Sequence, residues 1–166
     1  MRKLLVVYDS ISGNTERMAK FIMEGANRKL SKVILKNVED AVEQDLIDAD
    51  AIAFGCPTYN RDLTSGMKDF FEVKVAKVKG KLRGKIGIVF GAYGWSAEAI
   101  RLIQETLKYL KMNVIELDQG STGTPDEDYY ITSLSDIEKL TQKFGEDMAT
   151  KVKSSKRKKE SARTKK

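Results

Sequence analysis

Ser10, Ser12 and Thr15 place three hydroxyls within six residues, around Ile11, Gly13 and Asn14, soon after the apolar run Leu4-Leu5-Val6-Val7. A strand that ends in such a turn and then opens a helix aims backbone N–H groups and the positive helix end at one point, which favours an anion. The kind of anion follows from what the turn lacks. A nucleoside-triphosphate loop would set a Lys beside its Ser/Thr, and a dinucleotide loop would carry three glycines at fixed spacing; neither pattern is present. Neutral hydroxyls, a glycine that lets the backbone approach, and Asn14 as a cap for the next helix suit a terminal monophosphate. A plain Ser/Asn/Gly turn capping a helix has the same composition, so the rest of the chain must discriminate.

Two further stretches add aromatic surface. Gly55-Cys56-Pro57-Thr58-Tyr59-Asn60-Arg61-Asp62 and Gly91-Ala92-Tyr93-Gly94-Trp95-Ser96 each follow an apolar run with small residues and large rings. Tyr59, Tyr93 and Trp95 could border a flat slot for a planar ring system. Any one of them alone is more often a partly buried packing residue; their joint position beside a phosphate turn is the signal.

These loops need a scaffold that brings them to one edge. Apolar runs at Lys3 to Tyr8, Val33 to Lys36, Ala51 to Gly55, Ile86 to Phe90 and Asn113 to Leu117 predict five buried strands. Between them, core residues recur at helical spacing: Met18, Phe21, Ile22 and Gly25; Met67, Phe70, Phe71, Val75 and Val78; Ile100, Ile103, Leu107 and Leu110. A last helix uses Leu134, Ile137, Leu140, Phe144 and Met148, and Ala41 to Leu46 predicts a weaker one. Strict β/α alternation predicts a parallel sheet covered by helices on both faces, with ligands at the carboxyl ends of the strands.

Composition removes several chemistries. With 166 residues and 41% hydrophobic content, one domain with a true core is expected. The chain has no histidine and one cysteine, Cys56, which excludes a Ser-His-Asp triad, a histidine-held metal, an internal disulfide and a four-cysteine cluster. Catalysis would have to come from a cofactor, or from carboxylates and hydroxyls. Cys56 itself reads as a small buried residue ending a strand, with redox sensitivity as the alternative. With no long apolar span or signal-peptide pattern, a soluble, cytoplasmic protein is expected.

Charge is unevenly spread. Residues 151–166 hold nine Lys/Arg and one acid, while residues 1–150 hold 21 basic and 23 acidic residues. The body is mildly acidic, and the end is a basic stretch expected to be disordered beyond about Val152. Such a tail can hold nucleic acid or another anionic surface in a salt-dependent way, but it lacks interleaved aromatics, so solubility is the favoured account. The acidic loop Gly120 to Tyr129 reads as a connector, with partner docking as its alternative.

The phosphate turn, Cys56-Pro57-Thr58-Tyr59-Asn60, and the run Phe90 to Glu98 resemble the flavodoxin family, and most of all the flavodoxin module of flavodiiron (type A) flavoproteins. The resemblance spans residues 1–150, leaving 151–166 as a basic extension. It implies a flavodoxin-like three-layer α/β sandwich, a five-stranded parallel sheet in the order 2-1-3-4-5, and bound FMN. By the same resemblance, Ser10, Ile11, Ser12, Gly13, Asn14 and Thr15 would hold the FMN phosphate. Pro57, Thr58, Tyr59 and Asn60 would edge the isoalloxazine, with Gly91, Ala92, Tyr93, Gly94 and Trp95 on its other side. The implied function is low-potential electron carriage between a donor and an acceptor redox protein, as a monomer or weak dimer. An FMN-dependent NAD(P)H:quinone or metal reductase is the alternative, and a flavin-free scaffold that binds nucleic acid through the tail is a third reading. Without histidine, di-iron reduction of oxygen or nitric oxide is not expected of this chain alone.

Two residues bear on redox tuning. Many flavodoxins carry a glycine near flavin N5 whose peptide flips on reduction, but Tyr59-Asn60-Arg61-Asp62 has none; Asn60 tolerates positive φ better than most residues. Arg61 near the ring would stabilise an anionic reduced flavin and raise the last potential. A solvated arginine paired with Asp62 is the favoured reading.

Overall fold

The structure, a computed structural model, describes residues 2–93, 96–117 and 134–163, with side chains of the last helix described for residues 138–155. Five strands, β1 (Leu4–Tyr8), β2 (Val33–Asn37), β3 (Ala51–Gly55), β4 (Ile86–Phe90) and β5 (Asn113–Val114), form one parallel sheet in the order β2-β1-β3-β4-β5. This is the expected architecture. The apolar runs are continuous because both sheet faces are covered: β1, β3 and β4 are buried at every position. Side-chain alternation splits the core in two. Leu5, Val7, Ile52, Phe54 and Val89 pack on one side, and Leu4, Val6, Ala51, Ala53, Ile88 and Phe90 on the other.

The second layer comprises α1 (Asn14–Asn27) and α6 (Leu134–Arg163), which contribute Met18, Ala19, Ile22, Phe144, Met148 and Val152 to the second cluster. The opposite layer holds α2 (Glu43–Asp48), α3 (Ser65–Asp69), α4 (Ala76–Leu82) and α5 (Glu98–Tyr109), through Leu46, Met67, Val78, Leu82, Ile103 and Leu107. Between α3 and α4 a π-helical turn, Phe70–Val75, adds a residue to the helix. It lets adjacent rings share the core: Phe71 lies 5.3 Å from Phe54 and meets Phe70 edge-on at 88°.

Three sequence expectations change. The ladder of β5 stops at Val114, although the Ile115 N–H still donates to the Gly87 carbonyl, and Ile115 and Leu117 pack against the second cluster. The core stripe of α6 is Thr141, Phe144, Met148, Ala149 and Val152, whereas Leu140 is exposed. Finally, α6 runs on to Arg163, so the backbone of residues 153–163 is helical where composition predicts disorder. Lys, Arg, Glu and Ala are good helix formers, and extending a docked helix avoids the cost of a new nucleus.

Both α1 and α6 approach backbone to backbone. A Cβ on Gly25 would lie 1.9 Å from the Gln142 carbonyl oxygen, and one on Gly145 would lie 2.2 Å from that of Ile22. Only glycine allows this spacing. Arg28 closes the rim of the contact by donating to Glu146 and Gln142 at 2.7 and 3.0 Å.

Candidate functional site

Chain order puts β2 on one side of β1 and β3 on the other, so the loops after β1 and β3 diverge at a topological switch point, the usual ligand crevice of an open α/β sheet. Hydrogen bonds tie those loops, and the loop after β4, into one unit. The Asp9 N–H donates to the Gly55 carbonyl at 2.9 Å, and Thr58 N–H to the Ala92 carbonyl at 3.1 Å. Ala92 N–H in turn reaches the Thr15 hydroxyl at 3.3 Å. Thr58 Oγ1 accepts from Ala99 N–H, 3.2 Å away, and so serves the first turn of α5, which has no side-chain cap of its own.

The first loop has the expected form with a different cap. Gly13, not Asn14, precedes the helix, at φ 89° and with no side chain to cap it; Asn14 is the first helical residue. Left-handed geometry at φ 89° costs Gly least of all residues, which suits it to this position. Ser10 Oγ accepts from Gly13 N–H at 3.1 Å and shapes the turn, while Ser10 N–H donates to Asp9 Oδ1. The first-turn amides of α1 are therefore left to an outside acceptor, and open space surrounds the Cα of Gly13. Ser12 and Ile11 are exposed; Thr15 is buried, with its oxygen on Ala92 and its proton available for donation.

The second loop ends in a tight hairpin turn. Tyr59 and Asp62 exchange both backbone hydrogen bonds at 3.0 Å, and Asn60 and Arg61 sit between them at φ 51° and 61°. These are the left-handed values of a two-residue hairpin turn, adopted here without glycine. Arg61 pairs with Glu98 at 3.5 Å rather than with Asp62, which pairs with Lys68 and accepts from Leu63 N–H. The turn points Asn60 and Arg61 outward; Glu98, a partner that sequence proximity did not reveal, comes from the start of α5. Cys56 is buried beside Thr64, and burial pushes its thiol pKa up, so an unreactive core residue is what the structure shows.

Two glycines set the spacing of this edge. A Cβ on Gly91 would stand 1.9 Å from the Cys56 carbonyl oxygen, and one on Gly66 would stand 2.6 Å from the Asp9 carboxylate. Pro57, Thr58, Ala92 and Tyr93 are half-buried at the same edge. Gly94 and Trp95 lie outside the described residues, as does the loop Gly120 to Tyr129. Tyr59 and Ile11 are 55% and 60% exposed, large apolar side chains left in solvent on the loops after β3 and β1. Uncharged donors beside exposed apolar surface are a fitting donor set for an anionic group joined to a planar apolar one.

The flavodoxin family profile matches residues 6–154. The chain belongs to the flavodoxin family. A flavodoxin of Maridesulfovibrio salexigens is 32% identical over 80% of this chain and 94% of its own. The type A flavoprotein of Rhodobacter capsulatus is 39% identical over 69% of this chain, which spans 27% of that longer protein. Among solved structures, a flavodoxin from the domain Archaea superposes with a TM-score of 0.75 and 32% identity, covering 91% of this chain and 99% of the other. The chain thus spans about a quarter to a half of the first curated relatives it matches and nearly the whole of the short flavodoxins. Family membership makes FMN the cofactor.

Proposed function

We propose that this flavodoxin holds FMN at the carboxyl edge of β1, β3 and β4 and carries electrons between two redox proteins in the cytoplasm. The observation that carries the proposal is the tied edge itself: three loops joined by backbone hydrogen bonds around the uncapped amides of α1, with Tyr59 and Ile11 exposed on two of those loops. Ser10, Ser12, Gly13, Asn14 and Thr15 donate to the phosphate, while Ile11 shields it. Pro57, Thr58, Tyr59 and Asn60 border one side of the ring, and Gly91, Ala92, Tyr93, Gly94 and Trp95 the other. FMN supplies one- and two-electron redox chemistry when bound. The chain's part is to hold the phosphate without a compensating cation, to exclude water with aromatic surface, and to leave one ring edge open to partners. Residues 1–150 carry this site; residues 151–163 continue the last helix. Among the described residues no helix is long and apolar enough to cross a membrane.

The protein should purify yellow, or take up FMN with the spectral change of a bound flavin. Stopped-flow mixing with NAD(P)H should then give no rapid flavin reduction, while a flavodoxin-reducing protein should give it. Rapid direct reduction by NAD(P)H would establish a reductase, and a colourless protein that refuses FMN would overturn the site.

Arg61 gives a narrower test. Its guanidinium is 72% exposed and shares Glu98 with Arg101. Exposed charges that are already paired act weakly through water. Arg61→Gln should therefore leave both one-electron potentials unchanged within the error of a redox titration. A clear fall in the second potential would place Arg61 against the ring.

A further inference from the structure

At the edge of the sheet opposite the FMN loops, four segments line a cavity of about 210 Å³. Its walls include Arg2 before β1, Asp50 before β3, Lys81, Arg83 and Lys85 before β4, and Ser155 of α6. Four cations face one carboxylate. Among the described residues, none of these four enters an ion pair.

Protein contacts leave part of this charge unanswered. Arg2 Nη1 donates to the Val152 carbonyl at 2.6 Å, which ties α6 to β1, but its Nε is buried and has no acceptor among the described residues. A buried donor without a partner is costly, more so when the group is charged. Lys85 donates to the carbonyls of Ile47 and Ala49, and burial pushes its pKa down, a shift that the nearby carboxylates of Asp50 and Asp48 only partly offset. Lys81 and Arg83 are exposed at the mouth.

We infer that this pocket binds a phosphate group, taken by Arg2, Lys81, Arg83 and Lys85 at the sheet edge remote from FMN. Guanidinium groups match the oxygens of phosphate in pairs, ammonium groups add point charge, and the Ser155 hydroxyl supplies a neutral donor. The sources are a free phosphate and the phosphodiester backbone of a nucleic acid. Beyond Ser155, helix α6 continues to Arg163, and residues 156–163 hold five Lys/Arg, one acid and neither an aromatic nor a large aliphatic residue. A lipid surface would find no apolar anchor there and bases would find no stacking platform, so recognition is by phosphate charge.

The test uses the full chain saturated with FMN, so that the flavin-phosphate site is filled. Inorganic phosphate should shift the NMR amide signals of Gly84, Lys85 and Ile86, and the exposed pair Lys81→Gln/Arg83→Gln should weaken that binding at least tenfold. A single-stranded oligothymidylate followed by fluorescence anisotropy separates the sources. Binding at least tenfold tighter than phosphate, with a salt dependence that the pair variant and Lys156→Gln/Arg157→Gln/Lys158→Gln/Lys159→Gln both reduce, identifies the backbone. Oligonucleotide binding no tighter than inorganic phosphate identifies the free anion. The inference is overturned if neither probe shifts these amides, or if the pair variant binds both as the parent does. A chain that takes no FMN can be titrated directly, with residues 10–15 watched separately, so failure of the flavin site and failure of this pocket are distinguishable.

Discussion

Gly91→Ala is expected to weaken FMN binding by about a hundredfold while the apoprotein stays folded. The added methyl would stand 1.9 Å from the Cys56 carbonyl oxygen and 2.7 Å from its carbon, and both are backbone atoms that cannot rotate away. Relief requires the loops after β3 and β4 to separate. That movement acts on the Cys56 N–H bond to the Phe90 carbonyl at 3.0 Å, the Thr58 bond to Ala92, and the Ala92 bond to Thr15. Overpacking of this kind costs about 1–3 kcal/mol, and its upper range, borne by the bound state, is about a hundredfold in affinity. A control lies in α4: Gly80 has nothing within 4 Å of a built Cβ, so Gly80→Ala should leave FMN affinity unchanged and stability slightly raised. Fluorescence titration measures the affinity, and far-ultraviolet circular dichroism shows whether the apoprotein is intact. Equal FMN affinity in Gly91→Ala and its parent would mean that loop spacing does not set the site.

The backbone of this argument was legible in the residues, and its finer contacts were not. Runs such as Leu4-Leu5-Val6-Val7 and Ile86 to Phe90 mark doubly covered strands because a parallel sheet leaves them no polar face, and they matched the structure. The turn after β1 was legible because Ser10 and Gly13 act within one local segment, the Ser10 hydroxyl accepting from Gly13 N–H. Contacts between segments far apart in sequence left no such trace. Nothing in Thr58 announces that its hydroxyl serves Ala99, or in Thr15 that it holds Ala92; those pairings need the fold. Asp62 was the natural partner for Arg61 by proximity, but the left-handed pair Asn60-Arg61 turns the guanidinium toward Glu98. Likewise Arg2, Asp50 and Arg83 are unremarkable singly, and become a pocket only when β1, β3 and β4 start at the same edge. The basic end misled for a different reason. Composition measures whether a segment can bury its own surface, whereas Val152 and Met148 show that the helix enters residues 151–155 already anchored.

That anchorage carries the largest stability effect expected of a single methyl in this chain. Gly145→Ala should lower unfolding stability by about 3 kcal/mol, at the upper end for overpacking, because the methyl would lie 2.2 Å from the Ile22 carbonyl oxygen and 3.0 Å from Ala26 N, inside the hydrogen-bonded frame of α1. Side-chain rotation offers no escape, so α6 must lift from α1. Lifting opens the contacts of Phe144, Met148 and Val152 with the second core cluster, and strains the Arg2 tether to Val152. A helix that is already loosened exposes less new surface on unfolding, so the urea m-value should fall together with the midpoint. Gly25→Ala meets the Gln142 carbonyl oxygen at 1.9 Å and should behave alike. The double variant then discriminates the cause. If both act by lifting one helix, the second change adds little to the first, giving a large non-additivity. If each merely strains its own site, their costs sum and the m-value holds. Urea unfolding of the four proteins reads both quantities, and a Gly145→Ala variant with unchanged midpoint and slope would show that the two helices have room the close approach denies.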